Sequence, residues 1–302
     1  MNKINQVVLI YLSKGGNKMK NRILFIIISI LAFSLAFTGC SQKQEPAKGS
    51  ATEVSKQNDE NKKGNSEDKL LENDTLVLGL DDSFPPMGFR DEEGKIVGFD
   101  IDLAEEVAKR MGVKLELKPI DWSTKSLTLN KGDIDVIWNG FSIDEQRKKE
   151  VDFSTPYLNN KQIVVVSNDS KIEDKDGLSG KILAVQSGST SDTALSKDKK
   201  VSGSLKEVKK YSDNVQALMD LKIGRVDAVL VDEVVGRYYV AKKPGDYKIL
   251  KEDFGTEQYA VGIKKGNTKL TEAINKALEE VRADGTEAEI SKKWFGEDIV
   301  SK

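Results

Sequence analysis

Alternating strands and helices in two comparable lobes, an α/β architecture with parallel sheets covered on both faces, is the fold class this sequence predicts. Three observations carry it. Apolar, β-rich runs alternate with stretches of helical periodicity from Thr75 onward. The length of 302 residues suits two domains at roughly 150 each. One pattern also occurs twice: Lys131-Gly132-Asp133-Ile134-Asp135-Val136-Ile137 and Ile223-Gly224-Arg225-Val226-Asp227-Ala228-Val229 each place a Gly at a helix end, two residues, then Asp and an apolar strand.

The elements follow in order. Thr75 to Leu80 reads as a strand, and Pro85-Pro86 breaks the run. Ile101, Ala104, Val107, Ala108 and Met111 recur at helical spacing, with Asp100 placed as a cap and Gly112 as a stop. A strand from Val113 to Leu117, a helix near Thr124 to Asn130 and a strand from Ile134 to Trp138 complete a first unit. A second unit has strands over Gln162 to Val166, Lys181 to Val185 and Ala228 to Val231, with a helix over Asp213 to Ile223. A strand from Tyr259 to Ile263 and helices within Leu270 to Ala283 and Glu287 to Trp294 close the chain.

Composition narrows the chemistry. There is no histidine, and Cys40 is the single cysteine, so His-dependent triads, imidazole metal sites, redox cysteine pairs and internal disulfides are excluded. With 47 basic against 49 acidic side chains, and only seven arginines among the basic ones, no polybasic surface for nucleic acid is expected. Asp100-Ile101-Asp102 and Asp133-Ile134-Asp135 do not have calcium-loop spacing, so no metal is expected either.

The N-terminal segment has the layout of an export signal. Lys20 and Arg22 precede an uncharged apolar run from Ile23 to Phe37, about 15 residues, which is shorter than the roughly 20 a membrane-spanning helix needs. The run ends in Leu35-Ala36-Phe37-Thr38-Gly39-Cys40, which resembles a bacterial lipobox; that implies cleavage before Cys40, acylation of its thiol and anchoring on the outer face of a membrane. Residues 1–39 are therefore read as a signal peptide, with Met19 as a plausible true start. Residues 40–69 are read as a lipidated cysteine followed by a disordered tether, rich in Lys, Glu, Asn, Ser and Gln and poor in bulky apolar residues.

Ligands of open α/β sheets bind beyond the carboxyl ends of strands, which directs attention to the loop from Asn139 to Arg147 and to Asp232-Glu233. Arg147 offers a planar fork for a carboxylate, a geometry that lysine cannot supply. The plainer reading is that Arg147-Lys148-Lys149 is a solvated helix face. Asp232 suits an ammonium group, and its plainer reading is an N-cap for the helical stretch from Glu233 to Tyr239. Asp81 and Asp82 read equally as turn caps, and Phe84 and Trp122 as packing or as clamps for an aliphatic stem. The loop Gln186-Ser187-Gly188-Ser189-Thr190-Ser191 is rich in backbone and hydroxyl donors, without the ending of a phosphate-binding P-loop.

Taken together, Gly94 to Ala104, Lys131 to Ile137 and Glu145-Gln146-Arg147-Lys148-Lys149-Glu150-Val151-Asp152-Phe153-Ser154-Thr155-Pro156-Tyr157 closely resemble the polar amino acid binding proteins of ABC importers, over essentially all of Thr75 to Phe295. The resemblance implies a type II periplasmic-binding-protein-like fold, with lobe I at 70–160 plus 258–302 and lobe II at 161–257. Two crossover strands are implied, near Leu158 to Ile163 and Gly255 to Val261. It implies that Arg147 holds a ligand α-carboxylate, helped by Ser142, Gly140 backbone and Thr190, and that Asp232 holds the α-ammonium. Asp81, Phe84 and Trp122 would surround the ligand side chain and Gln186 would contact it, with Asp82, Met87 and Asn139 as further neighbours.

The implied partners are a polar L-amino acid (glutamine, a basic amino acid or cystine), a membrane permease and its cytoplasmic ATPase. No cofactor is implied. The rival from another class is a dehydratase-like enzyme on the same fold, with Asp81 or Glu145 as a cleft acid or base; an Arg and an Asp suited to a whole zwitterion favour binding instead.

Overall fold

Leu76, Leu78 and Leu80 alternate into a fully buried face, and the strand they form, β1 (Thr75–Leu80), is the second strand of a five-stranded sheet. The structure is a computed structural model, and it describes residues 70–301. The signal segment, Cys40 and the tether lie outside the described residues. Beside β1 run β5 (Lys114–Pro119) and the two-residue β6 (Val136–Ile137), both parallel to it, followed by β13 (Gly262–Lys264), which runs antiparallel to β6, and β7 (Val151–Phe153), which runs antiparallel to β13. A small sheet of β2 (Ser83–Phe84), β3 (Gly88–Arg90) and β4 (Ile96–Val97) follows the Pro85-Pro86 break.

The second five-stranded sheet has the order β10-β9-β11-β8-β12, comprising β10 (Glu207–Tyr211), β9 (Ile182–Gln186), β11 (Ala228–Asp232), β8 (Leu158–Ser167) and β12 (Tyr247–Tyr259). The chain leaves the first sheet after β7, enters the second through β8, and returns through β12 to β13. These antiparallel strands, paired from Leu158 opposite Tyr259, are the two crossovers of a two-lobed fold. The expectation of parallel sheets is corrected here: both sheets are mixed. A strand that arrives from the other lobe enters a sheet from the opposite direction, so β13 and β8 run against their neighbours.

The helices cover these sheets. Helix α1 (Phe99–Met111) buries Phe99, Ile101, Leu103, Ala104, Val107 and Ala108, and ends at Gly112, whose φ of 70° supplies the left-handed stop. Its cap is Gly98, not Asp100. Asp100 lies fully buried in the first turn, and its carboxylate accepts the Gly140 N–H at 2.6 Å. Helix α2 (Lys125–Lys131) follows a 3-10 turn at Trp122–Thr124 that is capped by Asp121. The short α3 (Arg147–Glu150) precedes β7. In the second lobe, α4 (Thr190–Lys197), α5 (Lys199–Ser204), α6 (Asn214–Lys222) and α7 (Glu233–Lys242) complete the cover. The amphipathic α8 (Thr268–Ala283), with Leu270, Ile274, Leu278 and Val281 inward, packs on α1 together with α9 (Thr286–Phe295).

Sequence reading missed β10, whose Glu207, Lys209 and Lys210 mask its period at an edge position of the sheet. It also missed α5 and the small three-stranded sheet.

Candidate functional site

Between the lobes lies a small cavity with about 210 Å³ of space unfilled by atoms, lined by Phe84, Trp122, Gly140, Ser142, Arg147, Gln186, Ser189, Thr190 and Asp232. Eight of these nine are residues singled out from the sequence; Ser189 is the addition. Asp81 stands against the wall, accepting from Gln186 Nε2 at 2.7 Å and from the Ser83 N–H at 2.9 Å. The remaining neighbours fall elsewhere. Asp82 is tied to Arg90 at 2.6 Å, and Met87 is fully buried in the core. Asn139 supports the loop from behind: in the orientation its neighbours satisfy, its amide donates to Asp81 O at 3.1 Å and accepts from the Gly88 N–H at 3.2 Å.

The arginine end is built locally. The loop from β6 to α3 turns at Gly140, whose φ is +54° and where an added Cβ would lie 2.6 Å from the Phe84 ring. Arg147 is 7% exposed, so the solvated helix face is ruled out. It donates to Ser142 O at 2.8 Å and to Gly188 O at 3.3 Å, pairs with Asp144 at 3.3 Å, and its guanidinium carbon sits 4.5 Å from the centre of the Phe141 ring. Burial lowers its pKa, while the negative charges of Asp144, Glu257 and Asp232 oppose that shift.

The aspartate end is built by strand register. Asp232 closes β11 and occupies the cap position of α7, but its side chain caps nothing. Its Oδ1 accepts instead from Asn160 Nδ2 at 2.7 Å, Gln162 Nε2 at 2.9 Å and Tyr259 Oη at 2.7 Å. Burial, and then the charge of Glu257, push its pKa upward.

Several contacts bridge the cleft. Ser142 Oγ lies 3.1 Å from Thr190 Oγ1, Gln186 reaches Asp81, and Phe89 meets Tyr238 with ring centroids 5.9 Å apart. Lys125, which sequence reading missed, donates to Trp122 O at 3.0 Å and to Gly188 O at 2.9 Å. Burial, then the charge of Arg147, bring its pKa down to about 7, and burial brings that of Asp81 up to about 6. The one sequence signal for Lys125 was its place three residues after Trp122 on a helix start. Asn160, Gln162 and Glu257 were missed as well; their signal is alternation along crossover strands, legible only once those strands are paired.

Arg147 and Asp232 thus present opposite charges from opposite walls of one small cavity. That arrangement suits a small zwitterion, with the aromatic rings of Phe84 and Trp122 as its apolar lining. Among the described residues, no helix is long and apolar enough to cross a membrane.

Comparison with known proteins identifies the family of the chain. Residues 76–297 match the family model of bacterial extracellular solute-binding proteins, family 3. The L-cystine-binding protein TcyJ of Escherichia coli (strain K12) is 36% identical over 233 residues, covering 76% of this chain and 86% of that protein. The ABC transporter glutamine-binding protein GlnH of Bacillus subtilis (strain 168) is 34% identical over 286 residues, covering 93% of this chain and 99% of that one. In structure, an ABC uptake transporter substrate-binding protein from Streptococcus pneumoniae with bound histidine superposes with a TM-score of 0.74 at 38% identity, covering 76% of this chain and 96% of that chain.

Proposed function

The chain belongs to the bacterial extracellular solute-binding proteins, family 3, and we propose that it captures a polar L-amino acid between its lobes and delivers it to an ABC permease driven by a cytoplasmic ATPase. The observation that carries this reading is that buried Arg147 and buried Asp232 line the same small cavity from different lobes. A zwitterion bridging them contacts both lobes at once, so its binding favours the closed arrangement over any open one. In this reading Arg147 takes the α-carboxylate and Asp232 the α-ammonium. Gly140, Ser142 and Thr190 line the polar corner, and Asp81, Phe84, Trp122 and Gln186 face the ligand side chain. Glutamine, a basic amino acid and cystine all fit the acidic Asp81 at that end.

The family and the relatives are substrate-binding proteins, not enzymes, and nothing in them favours the dehydratase-like alternative. The lobes in this reading are 70–160 with 258–302 and 161–257. The protein is extracytoplasmic, held to the outer face of the cell membrane by acyl chains on Cys40, with the segment to residue 69 as its tether. Cys40→Ser is expected to leave an unprocessed or released protein while ligand binding stays intact; a variant processed and retained at the membrane as well as the parent contradicts the anchor.

Calorimetric titration with glutamine, arginine, lysine, histidine and cystine tests the central claim. One of these free amino acids is expected to bind, and its α-carboxamide is expected not to. A neutral sugar or an amino acid amide binding as tightly as the free amino acid overturns the zwitterion clamp.

A further inference from the structure

Glu257 lies on the return crossover expected near Gly255 to Val261 but not among the site residues the sequence singled out, yet its Oε1 is the acceptor in the site that takes the most hydrogen bonds from protein donors. It accepts from Ser142 Oγ at 2.7 Å, Asn160 Nδ2 at 2.8 Å, Gln162 Nε2 at 2.8 Å and Thr190 Oγ1 at 3.2 Å. Register puts it there. On β8, Asn160 and Gln162 are two apart and share the buried face; Asn160 lies opposite Glu257 of β12, and Gln162 lies opposite Asp232 of β11. The same two amide nitrogens therefore serve both Glu257 Oε1 and Asp232 Oδ1, so two carboxylates converge on one corner of the cleft.

The hydroxyl protons follow from this. A carboxylate oxygen accepts and does not donate, and each hydroxyl has one proton. Ser142 Oγ has Glu257 Oε1 at 2.7 Å and Thr190 Oγ1 at 3.1 Å; Thr190 Oγ1 has Glu257 Oε1 at 3.2 Å and also receives Gln162 Nε2 at 3.2 Å. Both protons are thereby committed within the cluster. What the two hydroxyls still have to offer is lone pairs.

We propose that Glu257 is a positioning residue that turns Ser142 and Thr190 into acceptors and, with Asp232, makes this corner specific for an ammonium group. This rests on the proposed function and revises one part of it. The Ser142 and Thr190 hydroxyls are assigned to the ligand's cationic end, and the carboxylate is left to Arg147 and backbone N–H groups. Two converging negative ends repel each other, and a cation between them relieves that repulsion, so an amine-bearing ligand gains more here than its deaminated analogue.

The test compares pairs of ligands that differ only in the α-amine: L-arginine with 5-guanidinopentanoic acid, and L-glutamine with glutaramic acid, titrated calorimetrically against wild type, Glu257→Gln and Glu257→Asp. Glu257→Gln is expected to cut the preference for the amine-bearing member by about tenfold, through weaker binding of the amino acid, with the analogue's affinity changed little. Glu257→Asp keeps the charge on a shorter stem and is expected to retain part of that preference. A preference unchanged in both variants assigns Glu257 a merely structural role and overturns the proposal. Tighter amino acid binding by Glu257→Gln overturns it as well, because Glu257 then competes with the ligand's own carboxylate. Where lysine, histidine or cystine is the amino acid that binds, the pair is formed from it and its deaminated analogue. If wild type binds none of the five, or if Arg147→Ala binds as well as wild type, the zwitterion reading itself fails and the proposal falls with it, whereas a loss confined to the α-amine preference is specific to Glu257.

Discussion

The two charged ends of the cavity are held in different ways. Arg147 is fixed by its own neighbourhood in the chain: Asp144 three residues before it, Ser142 O five before it, and the Phe141 ring beneath it. Asp232 is fixed by Asn160, Gln162 and Tyr259, which come to it from other strands 72, 70 and 27 residues away. The first end is a local fold of one loop; the second exists only when β8, β11 and β12 are in register. The comparison teaches that one site can combine a charge whose geometry is set by short-range sequence with one set wholly by sheet pairing. Disturbances to the two ends should therefore spread differently.

The largest effect is expected at the local end. Arg147→Ala should weaken amino acid binding by about 2–5 kcal/mol, as removing one side of a buried charge pair does. Arg147→Lys should recover little of it, because an ammonium cannot reproduce the planar fork. Calorimetry measures both, and near-wild-type affinity of the lysine variant breaks the assignment.

At the register-built end, Asp232→Asn should cost less, about 1–3 kcal/mol of binding, because Glu257 still presents a carboxylate to the same donors. A cost equal to that of Arg147→Ala would show that the two carboxylates do not share the corner.

Gly140→Ala tests how tightly the local loop is specified. The residue must leave a positive φ or displace the Phe84 ring, and a loss of about 1–3 kcal/mol in unfolding free energy is expected by denaturant titration. An unchanged midpoint means that the loop relaxes freely.

The smallest effect concerns Asp100, which supports the same loop from beneath. Burial pushes its pKa up from the ordinary 3.8 to about 7, although the Gly140 N–H favours the ionised form. The folded protein therefore keeps a proton that the unfolded chain has already released between about pH 4 and 7, and stability falls as pH rises through that window. Asp100→Asn should flatten this part of the profile of melting temperature against pH, whereas Asp100→Ala should lower stability at every pH. A slope between pH 4 and 7 that is identical in wild type and Asp100→Asn would place the titration elsewhere.

These same contrasts explain what could be read in advance. The Arg147 loop was legible because its chemistry is contiguous: a strand, a Gly turn, a hydroxyl and an Arg in a chain that otherwise uses Lys. Asp232 was legible by its place after an apolar strand, but its competing reading as a cap was settled only by the three donors that turn its side chain inward. Asp100 went the other way, from cap to buried acceptor, because Gly98 already provides the helix entry and the Gly140 N–H lies within reach. Lys125 was hard to tell from the thirty-nine other lysines until the opposite lobe brought Gly188 O to it.

By itself, the sequence determined the alternation of strands and helices and the duplication of the β/α unit, since each depends on periodicity or on neighbours a few positions apart, while most of the residues lining the cavity were implied by the family resemblance its motifs carry. Only the tertiary structure decided the mixed direction of the sheets, the pairing of β8 with β11 and β12, and through it the cluster of Asn160, Gln162, Asp232 and Glu257. The reason is geometric. Side-chain alternation says which residues share a face of one strand, but which face meets which is fixed by register between strands distant in the chain, and a shift of one residue would turn Glu257 out of the cleft.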